Sequence, residues 1–522
     1  MSRSVSSVKN IVAGMGGQLF VYLLKFVTRT VFIHTLGKEY LGLQGLFSNI
    51  LGLLNLAELG VALAVAYTLY KPLESKDENK IYAIMGFLKK AYFVIGLIIL
   101  IVGSSLIPVL PFLMKGSTDL VNVNLIYILY LLEISASYLL FSYKRTILIA
   151  DQKRYVVNIV SITTTIITTI AQFGILIVVY KLIGPSEAFI CYLLASCLAQ
   201  FFINFVISKK ADKMYPYLKE KRDAKLSKPE KTELFKKIFG TSVYKINSTI
   251  VKSTDSILIS SVLGLGTNGS YSNYYFITNN VFIFVRMMFS SVTASVGNLI
   301  TKETTEKSEF IFRCLGQISY WIFGFFAVCM FVLIEPFVCL WAGDSYSLGQ
   351  VASWIFALEF LMEGYQVVSL TYKDAGGLFW FGKYRPMVTA ILNIIISLLL
   401  VHRLGVTGVI LGTIISRFLT TWWFEPMLVY KKTFKMPVFG YFVKYIFAVM
   451  IVLISVVIVE LLSGFYTGNA VVSFVIKMVL CIIVPNLLFF VAYFKTKEFT
   501  YIKQTVKNLL GGITGKLKRK KA

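Results

Sequence analysis

Fourteen apolar stretches, each long enough to cross a lipid bilayer, leave this chain few ways to fold. A membrane-spanning helix needs about 20 mostly apolar residues. Only 15% of the 522 residues are charged, whereas a soluble domain carries about 25%. The sequence therefore excludes a soluble enzyme and a disordered chain, and it predicts an all-α polytopic membrane protein. The stretches are residues 10–33, 41–69, 91–111, 120–142, 156–180, 188–208, 236–263, 270–298, 314–341, 350–371, 386–402, 405–430, 438–462 and 469–494.

The charge is strongly positive, with 52 Lys and Arg against 26 Asp and Glu. Such an excess can indicate a nucleic-acid partner, but in membrane proteins Lys and Arg collect in cytoplasmic connections. With both termini inside, the cytoplasmic connections hold 41 of the 52 basic residues and the outer connections hold four. We therefore predict cytoplasmic termini, basic segments held near anionic membrane lipids, and no nucleic-acid partner.

The chain carries a sparse internal repeat at a spacing of 227 residues. This shift brings Lys25 onto Lys252, Leu36-Gly37 onto Leu263-Gly264 and Gly42 onto Gly269. Two halves that both start inside are related by an axis along the membrane normal, as in repeat-built transporters. The predicted organisation is an N-terminal six-helix lobe at 1–208, a basic cytoplasmic linker at 209–235, a C-terminal six-helix lobe at 236–430, an extra helix pair at 431–494 and a basic cytoplasmic tail at 495–522.

Motifs for catalysis or cofactor binding are not evident in the sequence. The string Gly264-x-Gly266-x-x-Gly269 lies in a turn between two apolar stretches, whereas a dinucleotide site needs a strand before it and a helix after it. The six cysteines lie in apolar stretches without C-x-x-C spacing, and the two histidines are isolated. The sequence predicts a transporter without a catalytic site, a metal or a cofactor.

Several ionisable residues fall near the middle of the apolar stretches. Each costs about 2.5–3.5 kcal/mol there, so such groups pair with one another or face a water-filled cavity. Lys25 and Arg29 share one helix face, and Lys252 takes the equivalent place in the repeat. A cationic cavity suits a phosphate or pyrophosphate. The candidate substrate-binding cations are Lys25, Arg29, Lys252, Arg286 and Arg417, and the candidate sites of ion or proton coupling are Glu58, Glu133, Asp255, Glu359 and Glu363.

The same residues also allow a structural interpretation. The cations can pair with these acids as ties between helices, and Asp255 is one turn from Lys252. Arg29 can instead extend toward the outer membrane interface. Glu359 and Glu363 share a helix face, so like-charge repulsion could make one of them a proton carrier.

The 6 + 6 + 2 plan, the cationic first and seventh helices and the segment FVTRTVFIHTLGKEYLGLQGLFSNILGLLNLAELGV at 26–61 resemble the bacterial polysaccharide repeat-unit flippases. These belong to the multidrug/oligosaccharidyl-lipid/polysaccharide (MOP) exporter superfamily. The resemblance implies lobes that open alternately to either side of the bacterial cytoplasmic membrane. It implies transfer of an undecaprenyl-pyrophosphate-linked oligosaccharide to the outer leaflet, for a capsule, an exopolysaccharide or a related surface glycan. Lys25, Arg29 and Lys252 then take the place of the family's cavity cations.

The resemblance also implies partners and leaves alternatives open. A polysaccharide polymerase and glycosyltransferases are expected partners, and an H⁺ or Na⁺ gradient is a candidate driving force. One alternative is a multidrug or organic-ion extruder of the same superfamily, for which an acidic cavity would be the electrostatic match. The other is a non-transporting membrane scaffold of a cell-envelope assembly complex.

Overall fold

Within the described residues, the apolar stretches are mainly helical, as the sequence predicts. The structure, a computed structural model, describes residues 3–55, 58, 61–115, 122–220, 222–290, 292–382, 384–466 and 468–518, and for some of these, Lys252 among them, it describes the backbone alone. This described part contains no strand. A helix satisfies its own backbone hydrogen bonds, which is the requirement for crossing lipid. The all-α fold class is confirmed.

The helices are numbered in chain order. They are α1 Arg3–Leu54, α2 Val61–Glu74, α3 Glu78–Ser105, α4 Leu110–Leu113, α5 Val123–Leu139, α6 Arg145–Ala150, α7 Arg154–Leu182, α8 Pro185–Met214, α9 Lys228–Leu258, α10 Leu265–Ser290, α11 Thr293–Lys302, α12 Thr305–Ala342, α13 Gln350–Tyr365, α14 Val367–Ala375, α15 Arg385–Arg417, α16 Phe424–Val429, α17 Phe439–Ser463, α18 Ala470–Tyr493 and α19 Lys497–Lys518.

Two of the longest helices are each broken by a glycine. α1 is interrupted at Gly37 (φ 84°) and α15 at Gly405 (φ 58°), a backbone region that glycine adopts without steric cost. Each break separates two of the predicted stretches. Among the described residues, eight helical segments are long and apolar enough to span a membrane, and ten if two bent helix pairs each count as one span.

The chain divides into two compact units. Unit I comprises Phe20–Ser272 and Val401–Gly405, and unit II comprises Met1–Leu19, Asn273–Leu400 and Val406–Ala522. Unit I thus takes in residues 236–272, which the repeat assigns to the C-terminal lobe. The lobe and linker boundaries given above stay a prediction.

Each unit is built around packed helix pairs with apolar outer faces. In unit I, α7 packs on α8, α3 on α5, and α2 on both α3 and α9. In unit II, α12 packs on α13, α17 and α18. Large apolar side chains remain exposed on these helices, for example Leu461 and Ile483, and so much exposed apolar surface requires lipid around it. The chain is a multi-pass membrane protein.

Candidate functional site

The two repeat-related turns have the same backbone conformation. Gly37 has φ 84° and ψ −175°, and Gly264 has φ 98° and ψ 163°. Both glycines let one helix end and the next begin directly, because a side chain would be strained at a positive φ. The repeat at 227 residues is therefore a repeat of structure as well as of sequence.

A close crossing of α1 and α10 in unit I follows these turns. A Cβ atom added to Gly42 would lie 1.9 Å from the carbonyl oxygen of Leu265, and one added to Gly269 would lie 2.0 Å from that of Lys38. Lys38 and Leu265 are themselves 227 residues apart, so the contact is reciprocal between repeats. We name it the glycine crossing. Only glycine allows the two backbones to approach this closely.

Asn268 ties the glycine crossing together from inside. It is fully buried, and its Nδ2 donates to the carbonyl oxygen of Gly42 at 2.9 Å. Ser256 Oγ donates to Asn268 Oδ1, also at 2.9 Å. A buried amide with both ends satisfied fixes the register of neighbouring helices.

The predicted cations Lys25 and Arg29 lie on the polar side of α1. On this helix Phe20, Leu23 and Val27 are 51%, 57% and 49% exposed and form an apolar face. Successive helical residues turn by about 100°, so Lys25 and Arg29 fall on the opposite side. Lys25 is exposed there.

Arg29 contacts the glycine crossing directly. Its Nη2 donates to Ser272 Oγ at 2.5 Å, and its Nη1 donates to Gln44 Oε1 at 3.5 Å. It is half-buried. Arg29 therefore links the polar face of α1 to α10.

The remaining predicted cations are placed differently. The side chain of Lys252 lies outside the described residues, whereas Asp255, three residues later in α9, is buried. Arg286 is exposed and lines a cavity of about 60 Å³ in unit II together with Asp374. Arg417 is close to two of the predicted acids, with Nη1 3.5 Å from Glu359 Oε1 and 3.3 Å from Glu363 Oε2.

The other two predicted acids meet in unit I. Glu58 and Glu133 line one cavity of about 390 Å³, which we name the Glu58 cavity. Tyr92 donates to Glu58 Oε1 at 2.8 Å and Tyr138 to Glu58 Oε2 at 2.7 Å. Most of the residues that line it are polar, although apolar atoms form slightly more than half of the wall's area. Its polar residues are Asn55, Glu58, Tyr92, Glu133, Ser137, Tyr138, Ser142, Arg145, Thr146, Gln200 and Asn204.

Sequence reasoning missed Arg145 as a cavity residue. It follows the apolar stretch 120–142 and counts there as one more cytoplasmic cation. In the structure the helix stops at Leu139, Phe141 takes φ 63°, and the chain turns by 54° so that Arg145 lines the Glu58 cavity. The sequence signal was weak, since Phe rarely adopts this backbone region.

A buried ion cluster in unit II was also missed. Lys373 Nζ is 2.7 Å from Glu425 Oε1, and the same oxygen accepts a hydrogen bond from Arg385. The side chains of Lys373 and Glu425 are 4% and 1% exposed. Glu425 lies in the apolar stretch 405–430. An acid in such a stretch was the sequence signal that could have predicted the cluster.

Metal-site chemistry is not present in the described residues. They contain no group of three or more His, Cys, Asp or Glu side chains placed to hold a metal ion. The six cysteines are free thiols.

The fold is similar to that of several solved membrane transporters. The lipid II flippase MurJ, in an inward closed conformation, shares it with a TM-score of 0.64 at 17% identity, over 91% of this chain and 98% of that one. An inward-facing multidrug resistance MATE family transporter of the MOP superfamily gives 0.56 at 15% identity, over 76% and 91%. The Vibrio cholerae MATE transporter VcmN, in a mutant form, gives 0.57 at 12% identity, over 84% and 99%. At such identities the likeness is one of fold alone.

The family is shown by the sequence. Residues 7–294, more than half of the chain, match the family described as polysaccharide biosynthesis protein, and the chain belongs to that family. No curated protein matches the sequence. The predicted membership in a polysaccharide biosynthesis family is confirmed, and the fold is similar to that of a lipid II flippase and of MATE transporters.

Proposed function

We propose that the protein is a flippase that moves undecaprenyl-pyrophosphate-linked oligosaccharide units from the inner to the outer leaflet of the bacterial cytoplasmic membrane. Membership in a polysaccharide biosynthesis family supports a glycan substrate. A fold shared with a lipid II flippase and with MATE transporters supports movement across the membrane. No catalytic role is needed for this function.

One observation carries the proposal. Lys25 and Arg29 lie opposite the exposed apolar face of α1, on the side that need not contact acyl chains. Cations held away from lipid are suited to the pyrophosphate of a lipid-linked sugar, which Arg can bind through two parallel hydrogen bonds. Lys252, at the equivalent repeat position, is the third cation of this proposed headgroup site.

Alternating access supplies the mechanism. The glycine crossing lies at the turns predicted to face outward, so its closure would block the outer exit while the headgroup is captured from the cytoplasmic side. Opening would separate Arg29 from Ser272 and release the guanidinium toward the pyrophosphate. Coupling to an H⁺ or Na⁺ gradient is part of the proposal, and so is delivery of the product to a polysaccharide polymerase.

The test is substitution of Lys25 by Gln in protein reconstituted into liposomes. We expect the rate at which lipid-linked sugar appears in the opposite leaflet to fall about tenfold or more, because one charge-assisted contact is worth about 1.5–3 kcal/mol. Lys25→Arg should keep most of the rate. Lys181→Gln, at an exposed helix end, is the matched control and should leave it unchanged.

Three results would contradict the proposal. Normal leaflet transfer by a folded Lys25→Gln protein would remove the role of the cationic face. Efflux of cationic dyes without transfer of lipid-linked sugar would favour the multidrug alternative, and an absence of any transport by the purified protein would favour a scaffold.

A further inference from the structure

We infer that the Glu58 cavity of unit I binds a sugar residue of the transported glycan. The inference rests on the proposed function, and it adds a second recognition element beside the cationic face of α1. It assigns to Glu58 and Glu133 a role in glycan recognition, where the sequence suggests ion coupling. Four observations carry it.

The first observation is the size of the cavity. Its volume is about 390 Å³, within the range of about 300–1,000 Å³ typical of small-molecule sites. A bound Ca²⁺ or Mg²⁺ needs oxygen ligands within about 2.0–2.6 Å, and a space of this size is far too large for such a cage. The cavity has room for a sugar ring.

The second observation is the chemistry of the wall. Asn55, Gln200 and Asn204 contribute side-chain amides, which both donate and accept hydrogen bonds. Ser137 and Thr146 contribute hydroxyl groups. Each hydroxyl of a sugar also donates and accepts, so a wall of mixed donors and acceptors can satisfy several hydroxyls at once. A cation would require acceptors only.

The third observation is the charge. Arg145 lines the cavity within electrostatic reach of Glu58, and its guanidinium would repel a second cation. It also offsets one of the two carboxylates. The ligand that best fits this balance is neutral or weakly charged and rich in hydroxyl groups.

The fourth observation is that the carboxylates of Glu58 and Glu133 differ in their hydrogen bonds. Both oxygens of Glu58 already accept hydrogen bonds from tyrosines, so this carboxylate is a fixed part of the wall. Ser137 Oγ donates to the backbone carbonyl oxygen of Glu133, but the carboxylate of Glu133 accepts no hydrogen bond from a side chain in the described part of the chain. Its oxygens are available to accept from a ligand hydroxyl. Tyr92 and Tyr138, edge to face at 5.5 Å, add aromatic surface for the C–H face of a sugar.

The test compares two lipids in liposomes containing the full-length protein. One probe is undecaprenyl-pyrophosphoryl-N-acetylglucosamine and the other is undecaprenyl pyrophosphate, which has the same headgroup without the sugar. The variants are Glu133→Ala and Gln200→Ala, since both side chains are only half-buried and their truncation should leave the fold intact. We expect each to lower transfer of the sugar-bearing lipid about tenfold, as the loss of a good hydrogen bond would, with less than about a twofold change for the sugar-free lipid.

Glu133→Gln separates glycan binding from proton coupling. Gln keeps the shape and accepts a hydrogen bond but cannot carry a proton, so this variant should retain most transfer of the sugar-bearing lipid. If it instead abolishes transfer of both lipids, together with their dependence on a pH gradient, Glu133 is a proton carrier and the sugar site is refuted. Glu359→Gln in unit II is the control and should change neither lipid selectively.

A direct binding measurement keeps the inference separate from the proposed function. Saturation-transfer NMR with free glucose, galactose and N-acetylglucosamine should detect binding to the purified protein, with the signal lost in Glu133→Ala. Such binding without any lipid transfer would contradict the flippase while supporting the sugar site. Lipid transfer by a protein that binds none of the three sugars, with Glu133→Ala and Gln200→Ala equally harmful to both lipids, would overturn the sugar site alone.

Discussion

The acids predicted inside the apolar stretches have different surroundings in the two units. In unit I, Glu58 and Glu133 line an open cavity, and tyrosine hydroxyls rather than cations hold Glu58 in place. In unit II, Glu359 and Glu363 lie against Arg417, and Glu425 lies against Lys373. Acids of similar depth in their apolar stretches thus line a cavity in unit I and form ion pairs between helices in unit II. A charge within a membrane span indicates function only when its partner set is known.

The largest effect on stability is expected at the most deeply buried ion pair described in unit II, which joins Lys373 and Glu425. Glu425→Gln leaves Lys373 and Arg385 close together in a buried site without a carboxylate. We expect it to lower the free energy of unfolding by about 3–5 kcal/mol, the cost of breaking a buried pair on one side. Thermal unfolding in detergent or nanodiscs measures this. Adding Lys373→Met should recover part of the loss, and full stability of Glu425→Gln alone would show that the cluster is not a tie.

The second prediction concerns helix packing in unit I, where the backbones of α1 and α10 leave no space for a side chain at the glycine crossing. Gly269→Ala would force a Cβ atom to within 2.0 Å of the Lys38 carbonyl oxygen, and backbone cannot move aside as a side chain can. We expect Gly269→Ala to destabilise the close contact of α1 and α10 by about 1–3 kcal/mol. Thiol labelling of a cysteine in place of Ser272 should become faster. Gly86→Ala is the matched control, since a Cβ atom added there meets no atom within 4 Å. Equal labelling rates in the two variants would show that the glycine crossing does not act as a gate.

A smaller effect is expected at the more open ion cluster of unit II. The side chains of Arg417, Glu359 and Glu363 are 22%, 24% and 27% exposed, so water weakens their attraction. Arg417→Gln should lower the free energy of unfolding by about 1 kcal/mol, less than the change at Glu425. A loss larger than that of Glu425→Gln would reverse the order of the two clusters. Restoration by Glu359→Gln in the same chain would identify like-charge repulsion as the cause.

The smallest effect concerns α19, which lies outside the candidate membrane spans. Burial raises the pKa of Glu498, but a hydrogen bond from Lys444 and the charges of Lys444 and Arg313 outweigh it, so the net pKa lies below the usual 4.5. A carboxylate with a lowered pKa stabilises docking above its unfolded pKa, and this contribution is lost as pH falls through the folded value. A spin label at Thr505 should therefore keep its mobility from pH 7 down to the usual pKa of 4.5, and its mobility should rise slightly as the pH falls further through the lowered pKa of Glu498.

The control for this pH effect is Glu498→Gln. This variant should have the same label mobility at every pH, because Lys444 and Arg313 then lack the charged partner. The expected difference is below about 1 kcal/mol, since Lys444 is 46% exposed. Unchanged mobility of the unsubstituted protein down to pH 3 would show that other contacts dock α19.

The sequence predicts the helices well and the sites only in part. Within the described residues, the fourteen apolar stretches are mainly helical, and Gly37 and Gly264 mark equivalent turns because only glycine is unstrained there. The grouping of Lys25 with Arg29 also follows from helical spacing. The sequence did not predict that Arg145 lines the cavity. The chain changes direction at Phe141, and no residue type there predicts such a turn.

By itself, the sequence determined that this chain is a polytopic helical membrane protein with a repeat and a cationic first helix. Those properties depend on hydrophobicity and on periodicity along one helix, and both can be read from neighbouring residues. The tertiary structure alone decided that Glu58 shares a cavity with Glu133 while Glu359 and Glu363 share a cation, and that Asn268 binds the backbone at Gly42. These pairings join residues far apart in the chain, and the physical reason for them is how helices pack against one another.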